Sequence, residues 1–230
     1  SSEENGRTLT TGEPLPDYRC GWIDRIDPDT GKIDRLYEAC DGRRLAGPND
    51  IVFDYDGGIW FSDFGKHAGH AIEHGGIYYA RPDGSMIKRA IDGPRVNGIG
   101  LSPDGKTVYG AISFEGILAG FDVKGPGVLE PAGLVAGHVV GHLGPRQLQD
   151  SLAVCADGTV CVATCLNRHG IAAIDPTTGK ITDHEFPDML TTNICFGGAD
   201  MRDAWVTMST TGRLAKVRWD RPGLRLAHYA

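Results

Sequence analysis

Apolar positions along this chain come in short runs separated by Gly, Pro, Asn and Asp. Runs such as Ile59-Trp60-Phe61, Ile77-Tyr78-Tyr79-Ala80 and Val160-Cys161-Val162-Ala163 are too short for helices, and they are rich in β-branched and aromatic residues. They predict many short strands joined by tight turns, and hence an all-β fold.

The runs repeat. Segments beginning at Asn49, Asn97, Asp150 and Asn193 align, each placing an amide or carboxylate seven residues before a turn aspartate, at Asp56, Asp104, Asp157 and Asp200. In the first three the aspartate is followed by Gly57, Gly105 or Gly158, the pairing that a tight hairpin favours because it needs a residue with positive φ. A second strand pair follows each hairpin, announced by Gly76-Ile77, Gly116-Ile117, Gly170-Ile171 and Gly212-Arg213-Leu214. The unit is therefore four strands long, and its start-to-start spacings of 48, 53 and 43 residues match the blade of a β-propeller. An earlier stretch, from Gly21 to Gly31 and on through Ala39, resembles only the second half of a unit. Residues 18–230 are expected to form the propeller domain and residues 1–17 an irregular arm. Residues 125–149 read as a second irregular region, either a lid over one mouth or an idle insertion.

The inner strands of a propeller run in one direction, so equivalent positions converge on one channel mouth. Asn49, Asn97, Asp150 and Asn193 hold one register and all offer an oxygen acceptor. Singly, such residues at strand starts cap nearby backbone donors; four in one register predict a site. Hard oxygen ligands suit one divalent ion, Ca²⁺, Mg²⁺ or Mn²⁺, with Zn²⁺ an option in a water-rich site.

Composition narrows the class. A net charge of −7 works against nucleic-acid binding, which draws on clustered Lys and Arg. No apolar run approaches the roughly 18 residues that span a bilayer, and the polar start lacks a signal-type stretch, so a cytoplasmic protein without membrane contact is expected. The six cysteines include no Cys-x-x-Cys pair and read as buried thiols, with Cys20 and Cys40 alone open to a disulfide. His67 and His70, like His138 and His142, have spacings that would suit zinc on a helix, but neither pair sits in one. His67, His70 and His74 are expected on an exposed loop, whereas His138, His142 and His169 could reach the mouth as substrate contacts. Trp22, Trp60, Tyr109, Phe121, Trp205 and Trp219 are expected in the core. There is no Gly-x-Ser-x-Gly elbow and no catalytic Cys–His pattern, which disfavours covalent catalysis.

The motifs Gly47-Pro48-Asn49-Asp50, Gly57-Gly58-Ile59-Trp60-Phe61-Ser62-Asp63 and Asn97-Gly98 with Ser102-Pro103-Asp104-Gly105-Lys106 resemble the regucalcin, gluconolactonase and luciferin-regenerating-enzyme family, also called the senescence marker protein family. The resemblance runs from about Gly21 to the C-terminus. It implies a six-bladed propeller with one divalent metal, Ca²⁺ first, at the channel mouth, hydrolysing lactones or related esters. By motif, Asn97 and Asp150 correspond to metal ligands, and Asn49 to a residue that contacts substrate or, in some members, the metal. Asp150 would then be the proton acceptor or purely a ligand, while Asn49, Asn193, His142 and His169 would line the substrate. The rivals are a metal- or ligand-binding propeller without activity, and a hydrolase of another electrophile such as a phosphotriester or cyclic diketone.

Two departures matter. The family's Glu-Gly-Pro motif, whose Glu is a metal ligand, is absent, since Gly12-Glu13-Pro14 has the wrong order. The chain is therefore expected to supply about four and a half blades, with the N-terminal part, on the order of 80 residues, missing or on another polypeptide. The Arg that sugar-lactone members place two residues before the Asn is Gly47 here, which leaves aldonolactone specificity unsupported.

Overall fold

The computed structural model describes residues 18–68, 71–130, 137–145 and 147–227, together with the short strands Glu3–Glu4 and Arg7–Thr8, which pair antiparallel. The rest of the 1–17 arm lies outside the described residues, as do His70 and residues 131–136.

Four antiparallel sheets follow one another. The first contains Pro48–Phe53, Ile59–Asp63, Gly76–Ala80 and Ile87–Asp92. The second contains Val96–Leu101, Thr107–Ile112, Ile117–Gly125 and His138–His142. The third contains Gln149–Val154, Val160–Thr164, Gly170–Ile174 and Ile181–Glu185, and the fourth Thr191–Gly197, Asp203–Met208 and Arg213–Arg218. Strands adjacent in sequence pair in space, and the opening strands of successive sheets pack side by side, giving a propeller-like arrangement. A single 3-10 turn, Leu166–Arg168, is the one helical element among the described residues.

Packing explains the unbroken apolar runs. The first three sheets are covered on both faces, so alternate residues of one strand serve different cores, whereas the fourth buries one face and leaves Cys195 and Leu214 exposed and Trp205 half-buried on the other. Trp60 packs with Val96 and Phe121 between the first two sheets, whereas its neighbour Phe61 packs with Tyr37 and Tyr78 on the other side. Val160 and Val162 face the second sheet, and Cys161 and Ala163 face the fourth.

The hairpin turns repeat in detail. Gly57, Gly105 and Gly158 take positive φ and donate to Asp54, Ser102 and Cys155 carbonyls; in the fourth turn Met201 does the same, with φ 57° and its amide 3.1 Å from the Gly198 carbonyl. The hairpin Ile23–Ile26 and Ile33–Tyr37 copies the outer half of the third sheet. In both turns an aspartate, Asp27 or Asp175, accepts amides two and three residues on and also a glycine amide on its carbonyl.

Two expectations are corrected. Residues 125–149 are not wholly irregular: His138–His142 forms the outer strand of the second sheet, opposite Ile117 to Gly120. Trp22 is exposed, its ring covered by the Arg35 guanidinium at 4.1 Å, because the two-stranded hairpin beside it offers no second layer. All six cysteines are free; five are buried and Cys195 is exposed.

Candidate functional site

Every opening strand begins with a β-bulge, where two residues face one on the second strand. Asn49 and Asp50 sit between the pairs Pro48–Asp63 and Ile51–Phe61. Asn97 and Gly98 sit between Val96–Ile112 and Ile99–Gly110, and Asp150 and Ser151 between Gln149–Thr164 and Leu152–Val162. A bulge bends its strand and re-aims side chains, which is how Asn97 and Asp150, on neighbouring opening strands, come to face each other.

In the fourth sheet the ladder passes from Thr191–Met208 to Asn193–Thr207 and Ile194–Val206. Matching Ile194 to Ile51, Ile99 and Leu152 makes Thr192 the counterpart of Asn49, Asn97 and Asp150, and Asn193 the counterpart of Asp50. Asn193 is thus one position out of the expected register, because this hairpin carries an additional pair, Gly197–Asp203, before its turn. Side-chain contacts agree: the Thr207 hydroxyl lies 3.5 Å from the Asn193 carbonyl, as the Ser62 hydroxyl lies 3.4 Å from that of Asp50.

Asn97 and Asp150 are brought together. The Asn97 side chain hydrogen-bonds the Asp150 carboxyl, while its own Oδ1 is buried and has no hydrogen-bond partner. Burial pushes the Asp150 carboxyl up to about 6, and the nearby Asp50 charge acts in the same sense. Opposing this, the Ser151 amide donates to Asp150 Oδ1 at 3.0 Å, and the Asn97 and Cys165 side chains also favour the charged form. Cys165 Sγ lies 3.9 Å from Asp150 Oδ2; burial first, then the Asp150 and Asp188 charges, push its thiol up to about 12, so it stays a neutral donor.

Hydroxyls tie neighbouring sheets at this level. Ser62 donates to the Asn97 carbonyl and accepts the Asp50 amide at 3.1 Å, and Ser113 donates to the Gln149 carbonyl beside Asp150. Glycine permits the close approach: a Cβ on Gly98 would stand 2.7 Å from the Asp150 carbonyl oxygen. Below the bulges, Ile51, Ile99, Leu152 and Ile194 help to wall a cavity of about 220 Å³ that Asp50 and Asn193 also line.

Asn49 is exposed at its bulge. His169 and His142 are not brought to the Asn97–Asp150 pair. His169 Nδ1 is engaged by the Phe186 carbonyl at 2.7 Å, and His142 lies on the outermost strand of its sheet. Asp50 was missed by counting from the turns, although its place beside Asn49 was the available signal. Among the described residues no three His, Cys, Asp or Glu side chains form a metal-binding group, so the acceptors gathered here are amide and carboxylate oxygens together.

Known proteins resemble this chain in sequence and in fold. The lactonase drp35 of Staphylococcus aureus is 32% identical over 118 residues, covering 50% of this chain and 35% of that protein. Regucalcin of Danio rerio is 26% identical over 148 residues, covering 64% of this chain and 48% of that protein. The chain thus spans between a third and a half of these curated relatives. The structure of a gluconolactonase from Xanthomonas campestris superposes with a TM-score of 0.65 at 25% identity, over 81% of this chain and 62% of that one. Residues 18–210 match the family described as SMP-30/Gluconolactonase/LRE-like region, and the chain belongs to that family.

Proposed function

We propose that this chain carries the active-site mouth of a metal-dependent hydrolase that opens a lactone or related cyclic ester. One observation carries the reading: the buried, unpartnered Oδ1 of Asn97 beside the Asp150 carboxyl. A buried acceptor without a donor costs about 1–3 kcal/mol, and a bound cation is what such an oxygen can serve. The donor set fits the ion: Asn97 and Asp150 would hold it, with the exposed Asn49 as a further ligand or a substrate contact. All are hard oxygens and the one nearby sulfur is a neutral thiol, which supports Ca²⁺ over Zn²⁺, with Mg²⁺ and Mn²⁺ as the other candidates.

When bound, a divalent ion supplies positive charge that makes a lactone carbonyl more electrophilic and a water more acidic. The chain's own residues do the rest. Asp150, held by the Ser151 amide and the Asn97 side chain, is placed to receive the proton of an attacking water. The Ser62 and Ser113 hydroxyls keep the two bulges at fixed spacing, and apolar residues wall the cavity below them. The family names support lactone chemistry: a lactonase and a gluconolactonase are among the similar proteins. In this reading the four sheets and the first hairpin belong to a six-bladed ring, and the intact mass of the native material tests whether another polypeptide completes it.

Metal analysis of the purified protein, followed by a panel of lactones, esters, phosphotriesters and cyclic diketones with and without chelator, tests the reading. Lactone turnover that chelator abolishes and Ca²⁺ restores is the expected result. Bound ion without turnover of any lactone or ester would replace it with a binding propeller.

A further inference from the structure

Asp50 is the acidic residue of the mouth to which the proposed chemistry gives no role, and its contacts have a pattern. Its Oδ1 accepts the amide of Ile51 at 2.8 Å, and its Oδ2 accepts the amide of Ile99, in the next sheet, at 3.2 Å. The Leu152 amide and the Ser151 hydroxyl, in the third sheet, face it and favour its charged form. Ile51, Ile99 and Leu152 are ladder equivalents, each the first paired residue after its bulge. One carboxylate therefore faces the same amide of three successive opening strands and bonds two of them directly. In the fourth sheet the corresponding Ile194 amide is taken instead by Asn193 Oδ1 at 2.8 Å.

We propose that Asp50 is a positioning residue that sets the spacing of the Asn97 and Asp150 bulges, by binding the amide two residues beyond the first and facing the equivalent amide beyond the second. The inference rests on the reading of Asn97 and Asp150 as ion ligands. A bulge leaves its extra residue outside the ladder, so the sheets alone do not fix where its side chain sits. An acceptor with two oxygens and four lone-pair sites can receive all three amides at once, whereas an amide side chain has one accepting oxygen. Charge-assisted bonds to backbone N–H groups are also roughly twice as strong as neutral ones, which suits a tie between separate sheets. Groups that orient metal ligands in this way typically change ion affinity by about 10–100-fold when removed.

The test uses the full chain, wild type, Asp50→Asn and the milder Ser151→Ala. Ca²⁺ affinity is measured by isothermal titration, and amide hydrogen exchange at Ile99 and Leu152 by NMR in chelator. For Asp50→Asn, faster exchange at both amides with Ca²⁺ affinity reduced by about tenfold or more is expected; Ser151→Ala gives a smaller fall in affinity. Faster exchange with unchanged affinity would make Asp50 a structural tie only and overturn the proposal. If Asp50→Asn does not fold, Ser151→Ala decides, and wild-type affinity in that variant overturns it. A wild type that takes up no divalent ion would instead overturn the reading of the site, and the positioning role with it.

Discussion

Asn97 and Asp150 stand 53 positions apart in the sequence and meet side chain to side chain, because each is the first residue of a bulge at the same height on adjacent strands. The pair leaves one amide oxygen buried and unused, an arrangement that costs stability in the absence of a ligand.

Asn97→Ala should therefore separate function from folding. Removing the unpaired oxygen recovers part of its burial cost, so the ion-free variant should lie within about 1 kcal/mol of wild type in urea titrations. Its Ca²⁺ affinity should fall on the order of 100-fold, read by isothermal titration. A large loss of stability with ion binding intact would contradict the assignment.

The Asp150 carboxyl gives a pH signature. Burial raises it from 3.8 in the unfolded chain to about 6 in the fold, so the folded state binds the proton more tightly. Stability from this group is fully present below about pH 3.8 and is lost as pH rises through about 6, to the extent of up to roughly 3 kcal/mol. In chelator, wild type should weaken across that window, and Asp150→Asn should lack this component and be the more stable protein at pH 8. Ca²⁺ uptake, which needs the charged carboxylate, should weaken as pH drops through about 6; denaturant melts in chelator at pH 4, 6 and 8 beside Ca²⁺ titrations at the same pH values check both.

How much of this the residues announced depends on which end of a strand is considered. Ile59–Asp63 and Gly76–Ala80 read correctly as strands because sheet covering on both faces demands unbroken apolar runs, and the Asp–Gly turns mark where they end; the polar stretch between them, expected as a loop carrying His67, instead holds the strand pair Lys66–Ala68 and Ala71–Glu73. Asn97 and Asp150 were legible because two hairpins of one length carry them. Asn193 was not, since counting from Asp200 assumes a constant hairpin and the fourth has one more rung. His138–His142 escaped notice because an outermost strand, exposed at three of its five residues, has no apolar run to betray it. Asp50 could be noticed beside Asn49, but its role was not legible: its partners lie in neighbouring sheets, and only the packing of the opening strands brings them to one carboxylate.

The inter-sheet hydroxyls should matter beyond their number. Ser62 is fully buried, and Ser62→Ala leaves the Asp50 amide and the Asn97 carbonyl each short of a partner, for a cost of about 1–3 kcal/mol. Ser113→Ala should cost a similar amount through the Gln149 carbonyl. Thermal unfolding in chelator reads the loss, and Ca²⁺ titration should show weakened binding for both.

Gly98→Ala is expected to injure the site more than the fold. The added methyl would sit 2.7 Å from the Asp150 carbonyl oxygen and 2.8 Å from the Leu152 amide nitrogen, both backbone atoms, so the second and third opening strands must part. A stability cost of about 1–3 kcal/mol should accompany a disproportionate loss of lactone turnover. Equal activity per folded molecule would argue against the close approach.

Met201 poses a contest between backbone and burial. Its φ of 57° would suit glycine, which would relieve about 1 kcal/mol. The side chain is 4% exposed, however, and deleting a buried Met costs about 2–5 kcal/mol. Burial wins, so Met201→Gly should lower stability in urea melts by about 1–4 kcal/mol.

The extra rung in the fourth hairpin has a wider meaning. A blade can lengthen or shorten at its turn while the bulge at its other end keeps its place, so the far rim is free to drift without touching chemistry at the mouth. Alignments of related chains should consequently be anchored on the bulge and its first ladder pair, because a gap placed by the turn would slide every polar position by one and turn it to the wrong face.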